Sequence, residues 1–419
     1  MLLMLAFSVF LMFYSLKNYR NAVYFTSCVL ILQTHLNSGV PGVRLFYLVA
    51  LFQLYLFYVR GEFKRGKNLK YPLLLLVPCI IATIGYLLSS YFGVCKVYAE
   101  IFISSVCTFI YPVVIYKIIT TKEHLHGYLK VFLAFYLIAG VYTIVELLTN
   151  LNVYSLLIAK LDLAQDYYGG INEKVRYGMR RCNSLFAFCS TLGMAASVAF
   201  FVISYLRVNR IVVHRRIENV LFVLMPLNVL LTGTRSQFVV FFICLIPFIF
   251  WKKTYQTAIF KVLIFMGVLC VLLMSDYIGK IYDSMSDPNS GGGSSLEMRE
   301  EQLEVCLYYL DKSPFFGFGK SYISKYVMPY NPDLHGAESV WFRQLVDFGL
   351  LGCATYLMMC IGTMFWLYKY DKRLVFFPLA FLAGKTISIV VGVEISYLLI
   401  TSIILQKICT LYNLGNHRQ

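Results

Sequence analysis

The chain has 419 residues, of which 59% are hydrophobic and only 14% are charged. A water-soluble protein of this length needs more charge to cover its surface, so the composition excludes an ordinary soluble domain. The formal net charge of +16 raises the question of nucleic-acid binding, but there is no soluble basic face to hold a duplex. We therefore expect no nucleic-acid partner.

Apolar stretches near the roughly 20 residues that cross a bilayer recur from end to end of the chain. They predict an all-α polytopic integral membrane protein, with about 12–13 transmembrane helices in a single membrane domain covering residues 1–419. The predicted spans are residues 1–16, 21–38, 42–59, 72–91, 97–117, 128–149, 183–206, 217–232, 236–251, 256–275, 337–366, 374–391 and 393–410.

Basic connections between the spans predict the orientation. The loop Arg60–Lys70 is the most basic, so the positive-inside rule places it in the cytoplasm. Alternation of the spans then places Arg207–Arg216, Lys252–Lys253 and Lys369–Arg373 on the same side, and all three are basic. The long connections 150–181 and 276–336 fall on the outer side, where we expect the chemistry because long loops on a rigid scaffold often carry function.

The first outer loop ends in a cluster of arginines, Arg176, Arg180 and Arg181. Snorkelling to the membrane interface accounts for a single arginine, whereas a cluster of guanidinium groups suits phosphate oxygens. A fourth arginine, Arg235, lies in the polar break Thr232–Ser236 between two spans. This break has two open interpretations, a binding site or a simple turn with a snorkelled arginine.

The second outer loop contains a predicted amphipathic helix, residues 296–310. At about 100° per residue, Leu296, Leu303, Cys306, Leu307 and Leu310 form one apolar stripe, and Arg299 falls inside it. Arg299 is therefore expected to point inward at an anionic group, with a salt bridge to an acidic residue as the structural alternative.

A Gly-Lys-Ser sequence follows this helix at Gly319, but it does not predict a nucleotide-binding loop. The phosphate-binding motif needs a glycine at the position of Pro314, and the loop is predicted to lie outside the cytoplasm. We interpret Pro314–Gly319 as a tight turn.

His335 and Glu338 open the next span, on one face at i and i+3, with Arg343 and Asp347 one turn apart further along the span. Histidine is the natural proton acceptor near neutral pH, although a histidine at a helix start also serves structural roles. No further ligands accompany His335, and the twelve cysteines are scattered singly, so we expect no metal and no cofactor. Three ionic residues inside the spans are functional candidates without an assigned partner: Glu146, Lys385 and Glu394.

The order of these features resembles the O-antigen polymerase and O-antigen ligase superfamily of bacterial membrane glycosyltransferases. The residues that are similar are the arginine that opens the span after the first loop, a Thr-Arg turn, an arginine helix with a Pro-x-x-Gly-x-Gly turn, and a histidine followed by an acidic Gly-Leu-Leu-Gly segment. In this chain they are Arg181 with Ser184, Phe186 and Gly193; Thr234-Arg235; Arg299 with Pro314–Gly319; and His335 with Trp341 and Asp347–Gly352. Cys189 and Asp347 stand where proline and glutamate are usual.

The resemblance implies an undecaprenyl-diphosphate-linked oligosaccharide as donor and as acceptor, in the bacterial inner membrane with the site on the periplasmic face. It implies that Arg181, Arg235 and Arg299, with Arg176 and Arg180 beside them, bind the diphosphate. His335, supported by Glu338, would deprotonate the attacking sugar hydroxyl. Polymerisation of repeat units is the leading hypothesis, with a chain-length regulator as a further partner. Transfer of finished glycan by a ligase is the alternative, and a lipid-linked oligosaccharide flippase is a rival of another class.

Overall fold

The computed structural model describes ten segments of the chain, residues 2–30, 37–40, 43–62, 71–160, 175–176, 179–186, 188–249, 296–331, 339–388 and 395–414. The predicted span 256–275 lies outside the described residues. So do three candidates from the sequence, His335, Glu338 and Glu394.

The described part is built almost entirely of helices, which confirms the predicted all-α polytopic class. The N-terminal half contains α1 (Leu2–Lys17), α2 (Tyr19–Val29), α3 (Leu45–Val59), α4 (Leu73–Phe92), α5 (Tyr98–Ile118, with a π-helical turn at Val106–Ile110), α6 (Lys122–Thr149) and α7 (Val153–Lys160). The C-terminal half contains α8 (Cys189–Val208), α9 (Arg215–Leu231), α10 (Arg235–Ile249), α11 (Leu296–Lys312), α12 (Val340–Tyr368), α13 (Phe376–Ile387) and α14 (Ile395–Leu411).

Two short antiparallel hairpins join these helices: β1 (Asn37–Val40) with β2 (Val43–Arg44), and β3 (Val175–Arg176) with β4 (Met179–Arg180). Short π-helical and 3-10 turns cover Ile323–Val327, Met328–Tyr330 and Lys372–Val375.

Five described helices are long and apolar enough to cross a membrane, namely α4, α5, α6, α8 and α12. All five coincide with predicted spans. The predicted span 21–38 differs from the structure, because α2 ends at Val29 and β1 occupies the end of that range. Asn37, Ser38 and Gly39 favour turns and extended backbone over helix, which a hydropathy average does not register.

Helix α8 is the centre of the bundle, and every residue from Ser190 to Leu206 is buried. It packs against α9, α10 and α13. Small residues allow this close packing: a Cβ on Gly193 would lie 2.6 Å from Cγ of Gln237 in α10. The fit holds the N-terminal end of α10, with its Thr-Arg turn, in a fixed position.

Helices α10 and α13 both pack beside α8, and they run antiparallel to each other. The Phe201 ring of α8 packs edge-on against Phe248 and at a tilt against Phe377. Gly384 lies against Val240, where an added Cβ would be 2.8 Å from Cγ2. The start of α10 and the end of α13 therefore lie at the same end of the bundle.

Candidate arginine-lined site

Arg181 is bonded to the turn between α9 and α10. Its Nε donates to the carbonyl of Thr232 at 3.2 Å, and its Nη2 donates to Oγ1 of Thr234 at 3.1 Å. The backbone N–H of Cys182 donates to the carbonyl of Leu231 at 3.0 Å, so the two segments are joined by main chain as well. Burial raises the pKa of the Cys182 thiol to about 12, in keeping with this tight joint.

The turn places Arg235 directly after Thr234, to which Arg181 is bonded. Gly233 has φ +58°, and Thr232 and Thr234 are buried on either side of it. Arg235 is the first residue of α10 and is half-buried. The structure thus brings together two arginines that are more than fifty residues apart in sequence.

Glu146 of α6 supports the segment that carries Arg180 and Arg181. The side chain is 1% exposed, and its Oε2 accepts the backbone N–H groups of Asn183 at 3.2 Å and Ser184 at 2.7 Å. Its Oε1 lies 4.0 Å from Nη2 of Arg180. The partner of Glu146, which the sequence left open, is therefore the end of the first long loop.

Arg299 of α11 points inward, as expected from the sequence. Its Nη2 donates to the carbonyl of Ile387 at 3.1 Å, at the end of α13, where helix carbonyls carry partial negative charge. Because the end of α13 and the start of α10 share one end of the bundle, Arg299 and Arg235 do so as well. We call the end with Arg180, Arg181, Arg235 and Arg299 the arginine end.

The predicted apolar stripe of α11 is correct at Cys306 and wrong at two of its leucines. Cys306 is fully buried, whereas Leu303 and Leu307 are 41% and 48% exposed, and Gln302, which was not predicted, is fully buried as well. Cys306 packs with Ile323, Val327 and Val346. The buried face of α11 therefore lies to one side of these leucines.

The Pro314–Gly319 turn interlocks with a break in α12. Gly349 has φ +63° and ψ −159°, and this break releases the backbone N–H groups of Leu350 and Leu351. They donate to the carbonyls of Pro314 at 2.8 Å and Phe315 at 3.2 Å. In the opposite direction, the N–H groups of Phe318 and Gly319 donate to the carbonyls of Val346 and Asp347.

Glycine is required on both sides of this interlock. A Cβ on Gly349 would lie 2.7 Å from backbone atoms of Pro314 and Phe315, and one on Gly317 would lie 2.6 Å from the backbone of Asp347. The predicted tight turn is present, and its glycines allow two backbones to touch.

Asp347 fixes the residues that follow the turn. One carboxylate oxygen accepts the backbone N–H of Ser321 at 2.8 Å, and the other accepts that of Ile323 at 2.9 Å. Its side chain is buried. Asp347 therefore ties the first part of α12 to the segment after α11.

A cavity of about 300 Å³ lies beside the first part of α12 and between α4, α5 and α13. Three of its described lining residues are cationic, Lys320, Arg343 and Lys385, and one is acidic, Asp347. Lys320 Nζ lies 3.2 Å from a carboxylate oxygen of Glu100. Aromatic and hydroxyl groups complete the lining, among them Tyr86, Ser104, Thr108, Phe348 and Tyr356.

The remaining sequence candidates are only partly described. The backbone of Arg176 lies in β3, but its side chain is outside the described residues, as are His335 and Glu338. Within the described segments, no group of three or more His, Cys, Asp or Glu side chains is arranged to hold a metal ion. Sequence reasoning identified Lys385 as a functional candidate from its charge within a predicted span, but it did not predict the cavity that Lys385 lines.

Comparison with known proteins gives a match to a family model. Residues 220–357 match a family model described as O-antigen ligase. The matched region includes Arg235, Arg299 and the interlock of the Pro314–Gly319 turn with Gly349, which confirms the predicted superfamily. No curated protein matches the chain. The match supports a glycosyltransferase-like membrane enzyme of ligase or polymerase type.

Proposed function

From the premise that residues 220–357 belong to the O-antigen ligase family, we propose that this protein polymerises lipid-linked oligosaccharide repeat units. The glycan of an undecaprenyl-diphosphate donor is transferred to a sugar hydroxyl of the acceptor, forming O-antigen, capsule or exopolysaccharide. The arginine end faces the periplasm in the bacterial inner membrane, and a chain-length regulator is a further partner. Glycan ligation is the second candidate, favoured by the description of the matching family.

The observation that carries this proposal is the collection of guanidinium groups at the arginine end. Arg181 and Arg299 are each oriented by bonds to main-chain carbonyls, and Arg180 lies 4.0 Å from buried Glu146. Side chains held in this way are preorganised to stabilise negative charge as it develops on a leaving diphosphate. Guanidinium forks also match phosphate oxygens in a bidentate manner.

The reaction needs one nucleophile and one leaving group. The acceptor hydroxyl oxygen bonds to the anomeric carbon of the donor sugar while the bond from that carbon to the diphosphate breaks, so the configuration inverts. His335 takes the hydroxyl proton, with Glu338 in support, and the undecaprenyl diphosphate leaves with the bonding electron pair. Only three residues separate His335 from Ser339, whose side chain accepts the N–H of Trp341 at the start of α12.

Purified full-length protein incubated with the lipid-linked repeat unit tests the function directly. A ladder of glycan lengths on a gel supports polymerisation, and transfer to an added lipid A core acceptor supports ligation. Substrate that stays unchanged in both incubations contradicts the two proposals together.

The arginines are tested by glutamine substitutions. We expect Arg181→Gln and Arg299→Gln each to lower kcat/KM about 100-fold, the usual cost of removing one positioned donor to a developing charge. Arg216→Gln is the matched control, because Arg216 is exposed at the opposite end of α9 and its loss should leave the rate unchanged. The base is tested by His335→Ala, which should abolish turnover while the protein remains folded. Near-normal activity in any of these site variants would remove that residue from the mechanism.

A further inference from the structure

A continuous row of aromatic rings joins α11 to the segment that follows it. The ring of Tyr308 contacts Tyr309 with centroids 5.3 Å apart, Tyr309 contacts Tyr322 at 5.8 Å, and Tyr322 contacts Tyr326 at 5.2 Å. Phe318 stacks on Tyr322 at 4.6 Å. We call these five residues the aromatic row.

The middle of the aromatic row is fixed, and its two ends are exposed. Tyr309 and Tyr322 pack against the buried cluster that contains Cys306. By contrast, Tyr308 and Tyr326 are 56% and 48% exposed. Exposed rings that are joined into one group and held on a rigid support mark a binding site or a membrane contact.

The charges around Tyr308 argue against a membrane contact. Tyr308 lies on a stripe of α11 with Glu301, Glu304, Asp311 and Lys312, at spacings of three or four residues, and all four charged side chains are exposed. Lys312 Nζ donates to the hydroxyl of Tyr308 at 2.5 Å. Insertion of this face into hydrocarbon would desolvate its charges, and three acids against one lysine disfavour an anionic lipid surface as well. The face of Tyr308 is therefore in water.

The mixture of rings and polar groups suits a carbohydrate. The C–H groups on the face of a pyranose pack against an aromatic ring, while the hydroxyl groups at its edge bond to polar neighbours. Exposed Ser324 and Lys325 lie beside Tyr326, as Lys312 does beside Tyr308. The ring-to-ring steps of 5.2–5.8 Å are comparable with the length of one sugar residue along a glycan chain. A protein interface favours a core depleted of charge, and this row is bordered by charges.

The aromatic row adjoins the arginine end through α11. Arg299 lies in the first turn of this helix, nine residues before Tyr308, which is roughly 14 Å along the helix axis. The helix and the packed rings leave no flexible joint between these two points. A glycan whose diphosphate is bound by Arg299 therefore has the row within reach of its first sugar residues.

We propose that the aromatic row binds the glycan chain of the lipid-linked substrate, with the faces of successive sugars against its rings. The inference rests on the proposed transfer function. A longer chain covers more rings, so its affinity should rise with length until the row is covered and then stay constant. A chain held in this way between transfers keeps its diphosphate near Arg299.

Binding without turnover tests the aromatic row. Saturation-transfer NMR on the full-length protein in nanodiscs measures the Kd of oligosaccharides of one to four repeat units, released by mild acid from the lipid-linked glycan of the source cell. We expect the Kd to fall with length and then level off. Tyr308→Ala and Tyr326→Ala should each raise the Kd of the four-unit chain about fivefold, the usual contribution of one aromatic contact.

Two further kinds of variant show whether the ring faces are responsible. Tyr308→Phe and Tyr326→Phe keep the rings and should bind the four-unit chain like the wild type. Tyr91→Ala is the matched control, because Tyr91 is 63% exposed at the end of α4 and lies outside the row. Phenylalanine variants that bind as weakly as the alanine variants overturn the proposal, and so does an equal loss of affinity in Tyr91→Ala.

The same measurement separates this inference from the proposed function. Wild-type protein that transfers no glycan, but binds longer chains more tightly and loses this binding when Tyr308→Ala and Tyr326→Ala are combined, refutes the transfer function and keeps the glycan site. Equal Kd values for the wild type and the combined variant refute the glycan site even if transfer occurs.

Discussion

Gly349→Ala tests whether the interlock between the Pro314–Gly319 turn and α12 supports the site. Gly349 has φ +63° and ψ −159°, a region that only glycine occupies readily. An alanine held there costs about 1–3 kcal/mol. Its Cβ would also lie 2.7 Å from backbone carbon and oxygen atoms of Phe315, and backbone cannot rotate away as a side-chain tip can.

Relief of this overlap requires the turn to move away from α12. That movement lengthens the hydrogen bonds from Leu350 to Pro314 and from Leu351 to Phe315, each worth about 0.5–1.5 kcal/mol. Strain and lost bonds together predict a loss of about 2–6 kcal/mol in the free energy of unfolding. Transfer activity should fall too, because the displaced turn follows directly on α11, which carries Arg299.

Thermal unfolding of the purified protein in detergent, followed by tryptophan fluorescence, measures the stability. Gly61→Ala is the matched control, because Gly61 also has a positive φ, +64°, yet a Cβ there meets no atom within 4 Å. The control should lose only the conformational cost, about 1 kcal/mol. If Gly349→Ala unfolds at the same temperature as Gly61→Ala, the interlock does not stabilise the protein.

Three further predictions concern the arginine end and α11. Thr234→Val removes an acceptor from Arg181 and should raise the KM for the donor about tenfold. Thr232→Val keeps the carbonyl that accepts Arg181 Nε and should leave this KM unchanged. Equal KM values in the two variants would contradict the prediction. Glu146→Gln removes the charge that accepts the N–H of Ser184 after the first loop, and it should lower kcat/KM about tenfold in the same transfer assay. An unchanged kcat/KM would show that the loop is positioned without this charge. Burial raises the pKa of the Cys306 thiol to about 12, so at pH 8 its thiolate fraction is roughly one in ten thousand. Peptide mapping after alkylation should find Cys306 modified only in unfolded protein, and rapid labelling of native protein would refute the docking of α11.

The transmembrane helices were predictable because hydropathy depends on local composition. All five long apolar helices of the described residues coincide with predicted spans, and α4 and α5 agree to within one residue at each end. The end of α2 was not predictable in this way. Residues 30–38 remain apolar enough on average to extend a span, although Asn37, Ser38 and Gly39 favour another backbone.

The arginine end was predictable as a group of residues but not as a set of contacts. Isolated cations at helix ends are conspicuous in an apolar chain, so Arg181, Arg235 and Arg299 were identified from the sequence. The partners of Arg181 and Arg299 include two threonines and the carbonyl of Ile387, groups of a kind that occurs throughout the chain with no distinctive spacing. Arg181 and Thr234 meet only because α8 and α10 pack side by side.

The interlock explains how Arg299 and the first part of α12 can keep a constant separation. Arg299 lies near the start of α11, and the turn at Pro314 follows after only fourteen residues, most of them helical. That turn is bonded through its backbone to the break in α12, and Arg343 lies on the same helix six residues, about 1.7 turns, before Gly349. The distance between Arg299 and Arg343 is therefore set by a helix and a group of main-chain hydrogen bonds, and not by flexible side chains. In the proposed reaction this rigidity keeps the donor diphosphate in a constant position relative to α12, and such positioning is where an enzyme that lacks covalent chemistry of its own obtains much of its rate.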